Sequence, residues 1–280
     1  MSDPVAEILI VGCGFTGGRV ARALLGQGHR VTATARDPAS LAELAALGAR
    51  VIPWDAAAPD AGERLAAATP PGAAVLYSLP TLRLGERLEE PAPRLLPALH
   101  GLAARVVYLS TTGVYGPAHF VDETTPVRPS TERQRLRVAA EQAVAEGPWS
   151  WLVLRPAAIY GPGRGVQVAI PAGKYKLVGD GETYTSRVHV DDLAALAAAA
   201  LLSDLSRAWP VADDEPSTSR AIAELVCELL GIPLPESVGP EQVDETRRAN
   251  RRVDGRAIRE RLGVRLRYPS YRVGVPACLE

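Results

Sequence analysis

The chain has 280 residues, enough for one large domain or two interleaved ones around a packed core. Its 31 basic and 32 acidic residues leave a formal net charge of -1, which argues against partners recruited by a basic field, nucleic acid and membrane surfaces among them. An apolar fraction of 47% excludes disorder, and the longest strongly apolar helical run, 193–202, is far short of a membrane span.

Ala6–Val11 is a short apolar run with glycines directly after it, the pattern of a buried parallel strand. Gly17–Gln27 carries Val20, Ala23 and Leu24 at helical spacing. Arg30–Ala35 reads as a second strand, and Pro38–Leu47 as a second helix stopped by Gly48. Arg50–Trp54, Ala73–Ser78, Arg105–Ser110 and Trp149–Leu154 are further strands, with helices in most of the gaps. This alternation predicts an α/β protein with a Rossmann-type doubly wound parallel sheet. Beyond Tyr160 the pattern loosens: Gly and Pro cluster at 161–173, and long helices are expected after Val190 and over 217–230. We expect residues 1–165 to form an NAD(P)-binding domain and 166–280 a small, mainly helical substrate lobe, with 190–212 returning to the first domain. Ligands of such sheets sit beyond the carboxyl ends of the strands.

The loop after the first strand reads Gly12-Cys13-Gly14-Phe15-Thr16-Gly17, a G-x-G-x-x-G between a strand and a helix. Gly12 permits the tight turn, Gly14 lets the backbone approach a pyrophosphate, and Gly17 allows close helix–strand packing. Phe15 and Thr16 lie within the same cradle, where free N–H groups and the helix dipole favour phosphate. The second strand ends Thr34-Ala35-Arg36-Asp37. An acid at that tip would bind the ribose 2′-OH of NAD, whereas Arg36 suits the 2′-phosphate of NADP. NADP is therefore the expected cofactor and NAD the alternative, with Asp37 able to turn inward and Arg36 otherwise a solvated loop charge. Asp55, at the end of the third strand, is placed to accept from the adenine amino group or to cap the next segment.

Four later segments, Leu109-Ser-Thr-Thr-Gly-Val-Tyr-Gly116, Val121-Asp-Glu-Thr-Thr-Pro126, Leu154-Arg-Pro-Ala-Ala-Ile-Tyr-Gly-Pro162 and Arg187-Val-His-Val-Asp-Asp192, resemble the extended short-chain dehydrogenase/reductases of the epimerase/dehydratase branch. The resemblance implies a reaction centre built from a Ser or Thr, a Tyr-x-x-x-Lys pair and a nicotinamide. Thr111 matches the Ser/Thr position, or else caps the fifth strand. Counting back from Glu141, which matches the glutamate following the lysine by four, puts Arg137 at the lysine position and Arg133 at the tyrosine position. Only two basic residues in the chain are lysines, Lys174 and Lys176, and no Tyr-x-x-x-Lys occurs.

An arginine, with a pKa above ~12, cannot replace that tyrosine in proton transfer. If Leu136, Ala139, Ala140 and Ala143 form the buried stripe of their helix, Arg133 and Arg137 share one margin. They then face a cofactor cleft, Arg137 on the nicotinamide ribose and Arg133 on a phosphate or carboxylate, or else form a charged edge paired with Glu132 and Glu141. Tyr115 belongs to the same candidate catalytic set, and Tyr160 and His189 are expected to be structural. Asp191 or Asp192 is expected to cap the helix after His189. By resemblance, Pro156 lies on the cofactor and Arg187 matches an arginine that grips a diphosphate.

The expected activity is an oxidoreductase or epimerase with an altered proton-transfer site, acting on a small polar, anionic or nucleotide-sugar-like substrate. The alternative is an inactive NADP(H)-binding sensor with a protein partner. No metal is expected, because Cys13, Cys227 and Cys278 are widely spaced. The cysteines and the lack of a signal-peptide pattern point to the cytoplasm, and the chain is expected as a monomer or homodimer.

Overall fold

The computed structural model describes residues 5–243 and 249–280. In chain order it contains β1 (Glu7–Val11), α1 (Gly17–Gly26), β2 (Arg30–Ala35), α2 (Ala42–Ala46), β3 (Arg50–Pro53), α3 (Ala61–Ala68) and β4 (Ala73–Tyr77). A hairpin of β5 (Leu82–Leu84) and β6 (Arg87–Glu89) leads to α4 (Ala92–Leu95) and β7 (Ala103–Leu109). Then come β8 (Phe120–Val121), α5 (Glu132–Ala145), β9 (Ser150–Pro156), β10 (Ala158–Tyr160) and α6 (Val166–Ala169). Next are β11 (Leu177–Val178), β12 (Tyr184–Thr185), β13 (Arg187–His189), α7 (Val190–Leu202), β14 (Ala208–Val211), β15 (Ser217–Thr218) and α8 (Ser219–Leu230). The chain ends with β16 (Ser237–Val238), β17 (Arg252–Val253) and the helices Arg256–Leu262 and Tyr271–Ala277.

The chain divides into two compact units. The first comprises Met1–Val114, Pro129–Arg155 and Ala194–Ala208; the second comprises Tyr115–Arg128, Pro156–Leu193 and Trp209–Glu280. The first unit thus gives up Tyr115–Arg128 and ends its second segment at Arg155, where one continuous domain over 1–165 was expected.

The central sheet of seven strands runs β14-β9-β7-β4-β1-β2-β3. Every neighbouring pair from β9 through β3 is parallel. The order reverses direction at β1 and β4, so the topological switch point lies there. β1 is buried along Ile8–Val11 because helices cover both faces of such a sheet. α1 buries Gly17, Val20, Ala21 and Leu24, an i, i+3, i+4, i+7 row. Its exit turn needs Gly28, whose φ of +86° a side chain would disfavour. The region 38–47 is a short 3-10 turn before α2 rather than one helix, since Asp37 caps Ala39 N–H and Leu41 breaks the helical path. One apolar core of this unit packs Leu9, Val11, Val75, Tyr77, Val106 and Tyr108 against Leu65, Leu95, Ala140 and Val144.

The second unit is less purely helical than expected. Short strands pair as β8 with β17, β10 with β13, β11 with β16 and β12 with β15. Its core gathers Tyr160, Ile170 and Leu177 around Ile222, Val226, Tyr271 and Val275. α8 starts on the Thr218 hydroxyl, which accepts from Ala221 N–H, and stops at Gly231 in the left-handed region. Among the described residues, no helix is long and apolar enough to cross a membrane.

Candidate functional site

The glycine turn folds as a cradle. Gly12 has a φ of +83° and donates its N–H to Thr34 Oγ1 at 3.1 Å. Ser78 Oγ, just past β4, donates to Gly12 O at 2.7 Å, so the turn is anchored on both neighbouring strands. A Cβ on Gly12 would lie 2.7 Å from Leu79 Cδ2, and one on Gly17 would meet Gly12 O and Ile10 Cγ2 at 3.0 Å. Gly14 is different: a Cβ there would meet nothing within 4 Å. The middle glycine therefore faces open space at the amino end of α1, the arrangement a pyrophosphate requires.

The other residues of the loop shape it. Thr16 is buried at the N-cap but makes no side-chain cap bond. Phe15 stacks under Arg19, whose Nη1 also donates to Phe15 O at 2.8 Å. Cys13 is buried, and burial pushes its thiol up to about 12. Thr34 and Ser78, two of the polar anchors, carry no sequence signature of their own.

The tip of β2 presents an exposed Arg36. The neighbouring Asp37 does not turn inward, because its carboxylate accepts Ala39 N–H at 3.0 Å. Asp55 is exposed and accepts Ala57 N–H at 2.9 Å, which makes it a cap of its own loop.

α5 begins with a capping box in which Thr131 Oγ1 accepts Gln134 N–H and Gln134 Oε1 accepts Thr131 N–H. Its buried row is Arg137, Ala140, Glu141 and Val144, one position on from the stripe expected at 136, 139, 140 and 143. Arg137 therefore lies in the buried row, while Arg133, one turn earlier on the same side of the helix, stays outside it. Arg133 is exposed. Arg137 points into the first unit: Nη1 donates to Leu79 O at 3.1 Å and Glu90 Oε2 at 3.0 Å, and Nη2 donates to Leu109 O at 2.6 Å and Ser110 O at 3.3 Å. Its ion-pair partner is Glu90, not Glu132 or Glu141. Glu141 is buried instead against Ser110 Oγ and Arg155, with Arg155 Nη2 to Oε2 at 2.6 Å.

Thr111 follows directly, and its Oγ1 accepts Gly113 N–H at 3.1 Å. Gly12, Leu79, Arg137 and Ser110–Thr111 thus meet along the carboxyl ends of β1, β4 and β7. Burial, with Glu90 next, holds the Tyr77 hydroxyl well above its usual range, and burial does the same to Tyr108.

Tyr115, Pro156 and Arg187 belong to the second unit. Tyr115 and Pro156 are buried. Arg187 is 5% exposed, and its Nη1 donates to Thr185 O at 2.9 Å and Ser217 Oγ at 2.6 Å. Asp213 lies in its electrostatic reach, buried, with neither carboxylate oxygen hydrogen-bonded in good geometry. His189 is a packed residue, as its ring lies 3.9 Å from that of Tyr268 and edge-on to Tyr160. The helix α7 is not capped by Asp192. That carboxylate instead accepts the backbone N–H groups of Arg267 and Tyr268, at 2.7 and 3.0 Å. Among the described residues no group of three or more His, Cys, Asp or Glu is arranged to hold a metal ion.

Asp213 gives this unit a pH signature. Burial pushes its carboxyl up to about 8, reinforced by Asp214 and Glu215 and opposed by the Arg187 charge and the Glu215 amide. The folded chain therefore keeps a proton there that the unfolded chain loses above about pH 4, and stability falls as pH rises from about 4 to about 8. We expect Asp213→Asn to flatten the decline of melting temperature between pH 5 and 8. Parallel wild-type and variant curves would remove Asp213 as its source.

Comparison with known proteins follows the geometry. The sequence profile of the NAD dependent epimerase/dehydratase family matches residues 8–210. A 3-diazoavenalumate denitrifying reductase from Streptomyces sp is 29% identical over 262 residues, covering 83% of this chain and 84% of the relative. A functionally unknown conserved protein from Silicibacter pomeroyi DSS superimposes with a TM-score of 0.80 at 34% identity, covering 98% of both chains. The fold is also that of MoeE5 in complex with UDP-glucose and NAD, with a TM-score of 0.78 at 22% identity over 97% of this chain and 96% of that one.

Proposed function

The chain belongs to the NAD dependent epimerase/dehydratase family, and from that membership we propose that it is a nicotinamide-dependent oxidoreductase or epimerase whose proton-transfer site departs from the tyrosine–lysine form. The observation that carries the reading is the glycine turn, in which Gly14 opens onto free space at the start of α1 while Gly12 and Gly17 are packed tight. The residues present fit a dinucleotide. Gly12, Gly14, Phe15, Thr16 and Gly17 would hold its pyrophosphate, and Arg36 would meet a 2′-phosphate, with Asp37 committed to its own turn. A bound nicotinamide supplies hydride transfer.

Within the first unit, Thr111 would orient the substrate oxygen. Arg133 supplies an exposed guanidinium for a phosphate or carboxylate. None of these arginines moves a proton near neutrality. The reading therefore favours a substrate that accepts hydride without a proton from a tyrosine. The diazo-acid reductase among the relatives, though only 29% identical, supports the oxidoreductase arm over the epimerase arm.

The test is equilibrium binding of NADPH and NADH, followed by single-turnover oxidation of the reduced cofactor against a panel of diazo acids, carbonyl acids and nucleotide sugars. We expect tighter binding of NADPH and turnover with at least one electrophile. Binding without turnover across the panel would leave the sensor reading standing instead.

A further inference from the structure

The residue standing where the family places its lysine is engaged from four directions by the protein itself. Its guanidinium joins Leu79 O, past the end of β4, to Leu109 O and Ser110 O at the end of β7. Glu90 fixes the fork from the third side, at 3.0 Å, and is itself held by Thr81 Oγ1 at 3.1 Å. The Tyr108 ring closes the fourth, 4.9 Å from the guanidinium carbon. Side-chain exposure is 9% for Arg137 and 1% for Glu90, so the pair is sealed inside the first unit.

The carbonyls it holds are not arbitrary ones. Leu79 is the residue packed on Gly12, and Ser110 precedes Thr111. β4 and β7 lie on one side of the switch point at β1, and β2 and β3 on the other. In a doubly wound sheet the two nucleotides of a dinucleotide divide across that point. The glycine turn and the tip of β2 serve the adenine half, which leaves the other half to the carboxyl ends of β4 and β7.

We propose that Arg137, locked by Glu90, is a positioning residue: it fixes the carboxyl ends of β4 and β7 relative to each other and so shapes the seat of the nicotinamide half without touching it. The inference rests on the dinucleotide reading above. A planar fork of five donors can bond two strand ends and a carboxylate at once. An ammonium is a single point and cannot span the same set. Charge alone is therefore insufficient, and lysine should not rescue the site.

The experiment compares ligands that differ only in the nicotinamide: NADPH against 2′-phospho-ADP-ribose, and NADH against ADP-ribose. Full-length wild type, Arg137→Lys, Arg137→Met and Glu90→Gln are titrated, and the melting temperature of each is recorded. Arg137→Lys and Arg137→Met are expected to weaken the intact dinucleotide by about tenfold while the truncated ligand keeps its wild-type affinity. Glu90→Gln, which leaves the carbonyl bonds intact, is expected to shift the same ratio by only about threefold, and it decides the matter if the arginine variants do not fold. An unchanged ratio in the folded variants, or full rescue by lysine, overturns the positioning role. Wild type that binds neither intact dinucleotide overturns the cofactor reading itself, and the inference with it.

Discussion

Gly14→Val is expected to destroy dinucleotide binding and leave the melting temperature untouched, while Gly17→Val does most of its damage to the fold. The two glycines are three positions apart in the same motif, yet their surroundings are opposite. A side chain at Gly14 extends into space that the protein does not use, so its effect on stability should stay within about 0.5 kcal/mol. The same side chain fills the approach to the backbone that a pyrophosphate needs, and affinity should fall by at least about tenfold. At Gly17 a Cβ lands 3.0 Å from Gly12 O and from Ile10 Cγ2, with Ser78 Oγ at 3.4 Å. Overpacking of that kind costs about 1–3 kcal/mol, and it is borne where helix α1 docks on β1. Fluorescence titration with NADPH and urea denaturation separate the two effects. If Gly14→Val binds as wild type does, the turn is not a phosphate cradle.

Arg105→Met should produce the largest loss of stability among single substitutions far from the glycine turn. Arg105 stands on β7, 5% exposed, and reaches the returning segment Ala194–Ala208. Its Nε donates to Ala200 O at 2.7 Å and its Nη2 to Leu205 O at 2.6 Å, with Ser203 Oγ and Ser150 Oγ at 3.3 and 3.2 Å. Ala200 is in the last turn of α7, where carbonyls have no partner within the helix and the dipole favours a cation. Burial pulls the Arg105 pKa down, yet an arginine stays charged. Methionine fills similar space but removes all four donated bonds, leaving Ala200 O to the Ser203 hydroxyl at 3.1 Å, at a cost of about 2–4 kcal/mol. Calorimetry should show a melting temperature lower by about 6–12 °C. A shift under about 2 °C would mean that water satisfies the carbonyls and that Arg105 is not the clamp.

Much of the sheet was legible because its strands are short apolar runs bounded by glycine or charge. Arg30–Ala35 has the same limits in sequence and structure, and β1, β3 and β4 differ from their expected ends by one residue. The glycine turn was legible for a related reason, since each of its residues is fixed by local backbone requirements. The interior face of α5 was not. Two of the four residues on its buried row, Arg137 and Glu141, are charged, and their partners lie 47 and 31 positions away in Glu90 and Ser110. An apolar stripe reads burial from one residue at a time and misses polar groups satisfied at such distance. Arg105 and Asp192 were hidden by the same cause. The segment Tyr115–Arg128 joins the second unit through β8, which pairs with β17, and through Arg251, whose guanidinium donates to Ala118 O and Gly116 O. A valine–tyrosine–glycine motif gives no sign of partners so distant in sequence.

The division into two units carries a consequence for how such a protein can change. The chain passes from one unit to the other at 114/115, 128/129, 155/156, 193/194 and 208/209. Neither unit is a contiguous stretch, so no single cut releases one and no single crossover replaces one. A gene of this layout cannot exchange its second unit as a cassette, as a chain with end-to-end domains can. Either unit has to change residue by residue, inside segments whose neighbours in sequence are held by the other unit.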